Sequence, residues 1–365
     1  MLYTCAPARA RAHTLNAKRR GGTAGITVDI HCHVLTTAAD DLVRPFYRPE
    51  SDPLFRFANQ ATREVNRQQA EAIRTKITSV EARLKEMDRW GIDMQAVSPA
   101  PSQYYYWTDP ELGRAAARLC NNNIAGMVAA HPDRFVGMGT VPLQAPELAV
   151  TELERMVREL GLRGVEICTD VAREELSSAR FRPFFAKAEE LGVVVFMHPS
   201  GYTDGGRLAD HYFINVIGNP LASTVAVSHL IFGGVLEAYP RLKLVVAHGG
   251  GFLPAYSGRM DHAHRARSDL RREIEKRPTR YLRKLYFDTI VFTDHQLEYL
   301  VRQWGADHVL LGSDYPFDMA TPDPVGHVTS ARRISRTDKA KILGGNATRL
   351  LGIKALKPAG AKARR

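Results

Sequence analysis

Eight short β-rich runs, separated by helical or polar stretches, set the strongest limit on what this 365-residue chain can fold into. They occupy 26–33, 94–100, 135–143, 164–168, 193–198, 242–248, 285–292 and 309–314. Helical periodicity fills the segments 80–90, 111–130, 146–160, 181–191 and 297–304, with Pro146 at a first helical position. Strands that alternate with helices in this way predict an α/β chain, a (β/α)8 TIM-type barrel with a parallel sheet. An open doubly wound sheet is the competing architecture, but no GxGxxG follows the first run, as a nucleotide-binding version would require.

Two connections are too long for ordinary βα loops. Residues 35–79, polar and rich in Arg and Gln, read as an insertion after strand one, helical over 57–75, that covers the active face. The connection 201–219 carries Gly201, Gly205 and Gly206 and suits a mobile loop.

A formal charge of +11 invites a nucleic-acid reading, so its placement matters. Arg9, Arg11, Lys18, Arg19 and Arg20 crowd residues 1–25, and Lys354, Lys357, Lys362, Arg364 and Arg365 crowd 354–365, with no acid in either segment. These segments lack an apolar pattern and read as a disordered basic N-terminal extension and a disordered basic tail around one domain at 26–353. The body is left nearly neutral, which argues against nucleic acid as a partner. The Arg-rich start fits a transit peptide or a segment ahead of the true start. No apolar stretch suits a secretory signal or a membrane span, so the expected location is cytoplasmic, with no membrane partner. Cys5, Cys32, Cys120 and Cys168 show no CxxC spacing and read as reduced thiols.

Function is carried by what stands at the strand ends. His31 and His33 are two apart on strand one, so they project to the same side, and Cys32 between them faces away. Strand five ends in His198, strand six in His248 and strand eight in Asp314. In a barrel of this kind the C-terminal strand ends form the active-site mouth, so these residues converge. His31, His33, His198 and Asp314 make a donor set for one divalent ion, Zn2+ first and Mn2+ second, with a position left for a water that such an ion acidifies. A two-metal site commonly uses a modified lysine at the end of strand four, where this chain reads RGVEIC. His248, followed by Gly249, Gly250 and Gly251, is the expected catalytic acid/base.

The stretches VDIHCHV, EMDRWGIDMQAVS, RFVGMGTVPLQAPELAV, ELGLRGVEI, FMHPSG, LKLVVAHGGGFLPAYSGRMDHAHR, VLLGSDYPFDM and GGNATRLLGI resemble the amidohydrolase superfamily. The likeness is to its branch of nonoxidative decarboxylases related to aminocarboxymuconate-semialdehyde decarboxylase. The resemblance implies the same four ligands, the same role for His248, and a metal-dependent decarboxylase of a small conjugated or aromatic acid from aromatic-compound degradation. A hydrolase or hydratase acting on a lactone, amide or unsaturated dicarboxylate is the alternative, because one barrel hosts many chemistries. It also implies a homodimer in which Arg259 reaches the neighbouring subunit's site to hold a substrate carboxylate, with Arg74 of the insertion and Phe317 of the DYPF motif as further substrate-binding residues. Arg63 and Arg67 compete with Arg74 for that place. The family pattern HPWD is replaced by His198-Pro199-Ser200-Gly201 and its LPW segment by Tyr212-Phe213-Ile214-Asn215, so the expected substrate differs from aminocarboxymuconate semialdehyde.

Overall fold

Parallel pairing runs in sequence order through β1 (Val28–Val34), β2 (Met94–Pro99), β3 (Phe135–Gly139), β4 (Gly164–Ile167), β5 (Val194–Met197), β6 (Lys243–Val246), β7 (Tyr286–Asp288) and β8 (Val309–Leu310). Past β8 the chain closes the ring on β1: Ile30 N donates to Leu311 O at 2.8 Å and His33 N to Tyr315 O at 2.8 Å. The result is an eight-stranded parallel barrel. This computed structural model describes residues 25–353; the basic segments 1–24 and 354–365 lie outside the described residues.

The expected runs are all present, but several stop earlier at their C-terminal ends. β7 ends at Asp288 and β8 at Leu310, because the chain there leaves the hydrogen-bonded ladder for the rim. Asp314 already has a left-handed φ of 61°. Strict alternation along β1 does not hold either. The register with β2 shifts between Asp29 and Cys32, and the side-chain parity changes across it. Val28 and Ile30 pack with Met94, Val194, Phe196, Val245 and Leu310. Cys32 and Val34 instead join Val97, Val165, Val195 and Val246, the set that meets the outer helices. A bulge is the device that turns a strand in this way, and here it lets apolar residues fill the barrel floor while His31 and His33 face its mouth.

The insertion is helical further along than the sequence suggests. A short helix at Thr37–Val43 and further helical turns precede α1 (Gln60–Thr78), whose Asn59 cap accepts from Thr62 N, and α2 (Val80–Trp90) follows with Ser79 accepting from Ala82 N and Gly91 at φ 71° ending it. Outer helices α3 (Pro110–Ala130), α4 (Pro146–Arg158) and α5 (Arg182–Leu191) sit near their expected positions.

The connection after β5 holds more regular structure than its glycines suggest. It forms a helical turn at Gly205–Leu208, a short helix at Phe213–Val216 and then α6 (Gly218–Phe232). A Cβ on Gly205 would meet Ile214 and Phe57 within 3 Å, so this segment is packed against the insertion. The helical stretch Phe213–Phe232 is also long and apolar enough, at mean hydropathy 1.3, to match a membrane span by length, which the sequence reading overlooked. Half of it is buried inside the fold, as suits an outer barrel helix with core on one side and loops on the other.

Beyond β6 come α7 (Gly258–Ala266), α8 (Asp294–Trp304) and, at the end, α9 (Asn346–Leu351). Ala347, Leu350 and Leu351 of α9 join the cluster of Val28 and Ile30 and plug the barrel floor. Gly344 makes that approach possible, since a Cβ there would lie 1.8 Å from Ile26 O. Cys32, Cys120 and Cys168 are buried free thiols.

Candidate metal centre

Three strands deliver the four expected donors to one point. His31 Nε2 lies 3.1 Å from His33 Nε2, and each is 3.4 Å from Asp314 Oδ1. The ring of His198 is 4.9 Å from that of His31 and 4.8 Å from that of His33. One donor atom from each of His31, His33, His198 and Asp314 falls within 4.8 Å of all the others, and all four residues are buried. Both ring nitrogens of His198 and Oδ1 of Asp314 are buried without a hydrogen-bond partner. Buried polar atoms are rarely left so. Three imidazoles and a carboxylate with orphaned donor atoms fit a divalent cation, and the chain therefore has a metal-binding site.

The surrounding residues fix which nitrogens face inward. Asp288, the last residue of β7, accepts from His31 Nδ1 at 2.7 Å, leaving Nε2 for the metal. The same carboxylate accepts from the backbone of His248 at 2.9 Å and of Gly249 at 2.8 Å. It thus holds both a ligand and the turn that carries His248. His33 Nδ1 is fixed by Pro99 O at 3.0 Å. Beneath His33, the buried guanidinium of Arg83 donates to the His33 carbonyl and to Gln95 Oε1 at 3.1 Å, and lies over the Tyr315 ring. Asp288 and Arg83 were not singled out from the sequence; the first lies inside the run 285–292, where a lone acid among apolar residues was the available signal, and nothing marked the second.

His248 stands beside the donor set. Its Nε2 is 3.5 Å from Asp314 Oδ2, and its backbone holds φ 55° at the start of the glycine turn. Phe317 is half-buried with its ring 5.4 Å from that of His33. Arg259 lies exposed on α7 and Arg74 exposed on α1, so neither joins the metal donors within one chain. Arg67 is paired with Glu64, and Arg63 stacks on Phe55. A cavity of about 510 Å³ opens at this end of the barrel, walled by Tyr104, Tyr105, Tyr106 and Trp107 after β2, by Pro53 and Phe57 of the insertion, and by Ser200 after β5.

Burial opposes the charging of His31, but the Asp314 and Asp288 carboxylates outweigh it and lift its pKa from 6.5 to about 10. Burial and the neighbouring imidazoles hold His198 well below the usual histidine range. Asp314 is kept ionised despite its burial, chiefly by the His31 charge. In the metal-free protein the raised His31 pKa contributes stability fully below pH 6.5, and that stability is lost as pH rises through about 10. Metal has to displace this proton. Affinity should therefore climb about tenfold per pH unit across the neutral range, with proton release on loading; chelator competition at a series of pH values checks this, and a flat profile contradicts it. Asp288→Asn should weaken metal affinity by about 10- to 100-fold while the fold survives, measured by the same competition with a thermal melt as control.

A model of the amidohydrolase family matches residues 28–353, which is most of the chain. The chain belongs to the amidohydrolase family. Among its relatives, 2-amino-3-carboxymuconate-6-semialdehyde decarboxylase of Dictyostelium discoideum is 35% identical over 274 residues, covering 75% of this amidohydrolase and 76% of the relative. The 2-keto-4-carboxy-3-hexenedioate hydratase of Sphingobium sp. is 29% identical over 279 residues, covering 71% and 78%. The crystal structure of 5-carboxyvanillate decarboxylase from Sphingomonas paucimobilis superposes with a TM-score of 0.81 at 26% identity, covering 90% of this chain and 99% of that one.

Proposed function

We propose that this amidohydrolase is a metal-dependent nonoxidative decarboxylase of a small conjugated or aromatic carboxylic acid, serving aromatic-compound degradation. The observation that carries the reading is the placement of His248 Nε2, 3.5 Å from Asp314 Oδ2, at the edge of the four metal donors. That position serves an acid/base acting on a substrate held over the metal. The relatives named as decarboxylases support it. His31, His33, His198 and Asp314 would hold Zn2+, with Mn2+ as the second choice for the same donor set. When bound, such an ion supplies Lewis acidity toward substrate oxygens.

The chain's own residues do the rest. His248 delivers a proton to the ring or chain carbon that bears the leaving carboxylate, which removes the conjugation opposing cleavage. The C–C bond then breaks, its electron pair restores the π system that protonation had interrupted, and carbon dioxide departs, so carboxylate plus proton becomes the product bearing hydrogen at that carbon plus carbon dioxide. Phe317 and the tyrosine-lined cavity offer faces for a planar substrate. Arg259, exposed in one chain, suits donation to the site of a second copy, where its planar fork pairs with a carboxylate. Exposed Phe252 and Tyr256 on the same stretch are apolar surface of the kind a homodimer buries. Arg74 would approach the substrate from the insertion. The buried free thiols suit the reducing cytoplasm, where we place the enzyme.

Carbon dioxide release, followed against incorporation of labelled water, over a panel of aromatic and unsaturated carboxylic acids tests the reading. Labelled oxygen in the product without carbon dioxide would favour the hydratase reading that the Sphingobium relative suggests.

A further inference from the structure

One buried carboxylate in the barrel mouth has no part in the site described above. Glu166 sits on β4 and is fully buried. Its Oε1 accepts a 2.6 Å hydrogen bond from the Tyr104 hydroxyl, which also lies 3.1 Å from the backbone oxygen of His198. The same Oε1 is 3.8 Å from His33 Nδ1 and 3.9 Å from His198 Nδ1. Its second oxygen, Oε2, is buried with no partner.

His33 Nδ1 is already engaged by Pro99 O, whereas His198 Nδ1 is buried with no partner at all. The unpartnered ring nitrogen therefore faces Glu166 Oε1 across 3.9 Å, an oxygen that already accepts from Tyr104 and has a second lone pair to offer. Leaving that nitrogen unpaired is costly inside a protein, and a bond to Oε1 would satisfy it. An imidazole with Nδ1 toward Glu166 presents Nε2 away from it, on the side of the other ligands. We propose that Glu166, anchored by Tyr104, is a positioning residue that accepts the Nδ1–H of His198 and so fixes Nε2 as its ligating nitrogen. The separation must shorten to about 2.9 Å for this bond, and a cation held on Nε2 would favour it by making Nδ1–H a stronger donor to the carboxylate. Each ligand imidazole then has its own anchor: Asp288 for His31, the Pro99 carbonyl for His33 and Glu166 for His198. The inference rests on the metal site, whichever reaction the enzyme catalyses.

The test uses the full chain freed of metal and titrated with Co2+ against a competing chelator, with the visible spectrum of the Co2+ protein recorded alongside. Glu166→Gln removes the charge that strengthens the bond to Nδ1–H, and should raise the Co2+ dissociation constant by about 10- to 100-fold and change the Co2+ absorption bands. Tyr104→Phe frees the carboxylate from its anchor and should change the same two readouts in the same direction, by a smaller factor. Thermal unfolding of the metal-free variants separates folding from ligation. A purely structural role would lower the unfolding temperature and leave affinity and spectrum unaltered, and that result overturns the proposal. If Glu166→Gln does not fold, Tyr104→Phe decides by the same criterion.

Discussion

His31→Ala is expected to strip the protein of its metal and to lower turnover by about 1,000-fold or more. The ring nitrogen lost is the one 3.1 Å from His33 Nε2 and 3.4 Å from Asp314 Oδ1, so the donor set falls from four to three. The substitution also removes the partner of a fully buried carboxylate, Asp288, which otherwise holds the His248 turn. Both effects act on one site, and the several kcal/mol that a Lewis acid supplies convert to the stated factor. His33→Ala should act similarly on the metal, with less effect on the turn, because its Nδ1 partner is a backbone carbonyl. Metal content after gel filtration and initial rates on the same samples check this. A folded His31→Ala protein that retains stoichiometric metal and ordinary turnover would refute the ligand assignment.

Loss of the His248 imidazole should look different. His248→Ala should keep its metal and lower turnover by about 100- to 10,000-fold with little change in KM, the range expected when a proton-transfer group is lost. The side chain reaches Asp314 Oδ2, not the shared donor point, so ligation does not depend on it. Its backbone does matter: φ is 55° and its N–H is bound by Asp288, so alanine there carries strain. Asparagine tolerates the left-handed region better, and His248→Asn removes the imidazole with less disturbance of the turn. If both variants keep metal and full turnover, His248 is not the acid/base. If both lose metal, it belongs with the ligands.

The parts of the site that were legible in the sequence share a property. His31, His33, His198 and Asp314 each stand at the end of a β-rich run, where residue type and position are visible without knowing the fold. Asp288 was hidden because the run 285–292 reads as one strand, whereas the ladder ends at Asp288 itself. Glu166 stood unremarked in RGVEIC, a stretch read only for its lack of a lysine, and its approach to His198 depends on β4 and β5 lying side by side. Helix α6 escaped because apolar and small residues surround it on most sides, which leaves little helical period to detect. The bulge in β1 left no mark in VDIHCHV, since either parity places the histidines on one face.

By itself the sequence determined the alternation that makes a barrel, the residue types of the metal donors, and the neutral body between two basic ends. Those are local properties of pattern and chemistry. Only the tertiary structure decided which side chains meet and which nitrogen each imidazole offers. The physical reason is closure: Ser313 N and Asp314 N donate to His31 O, so residues almost the whole chain apart share one wall. Once that wall forms, burial makes an unpartnered polar atom behind it costly, which favours a partner or a ligand there. The unpartnered nitrogens of His198 and the free oxygen of Asp314 are what remains for the metal.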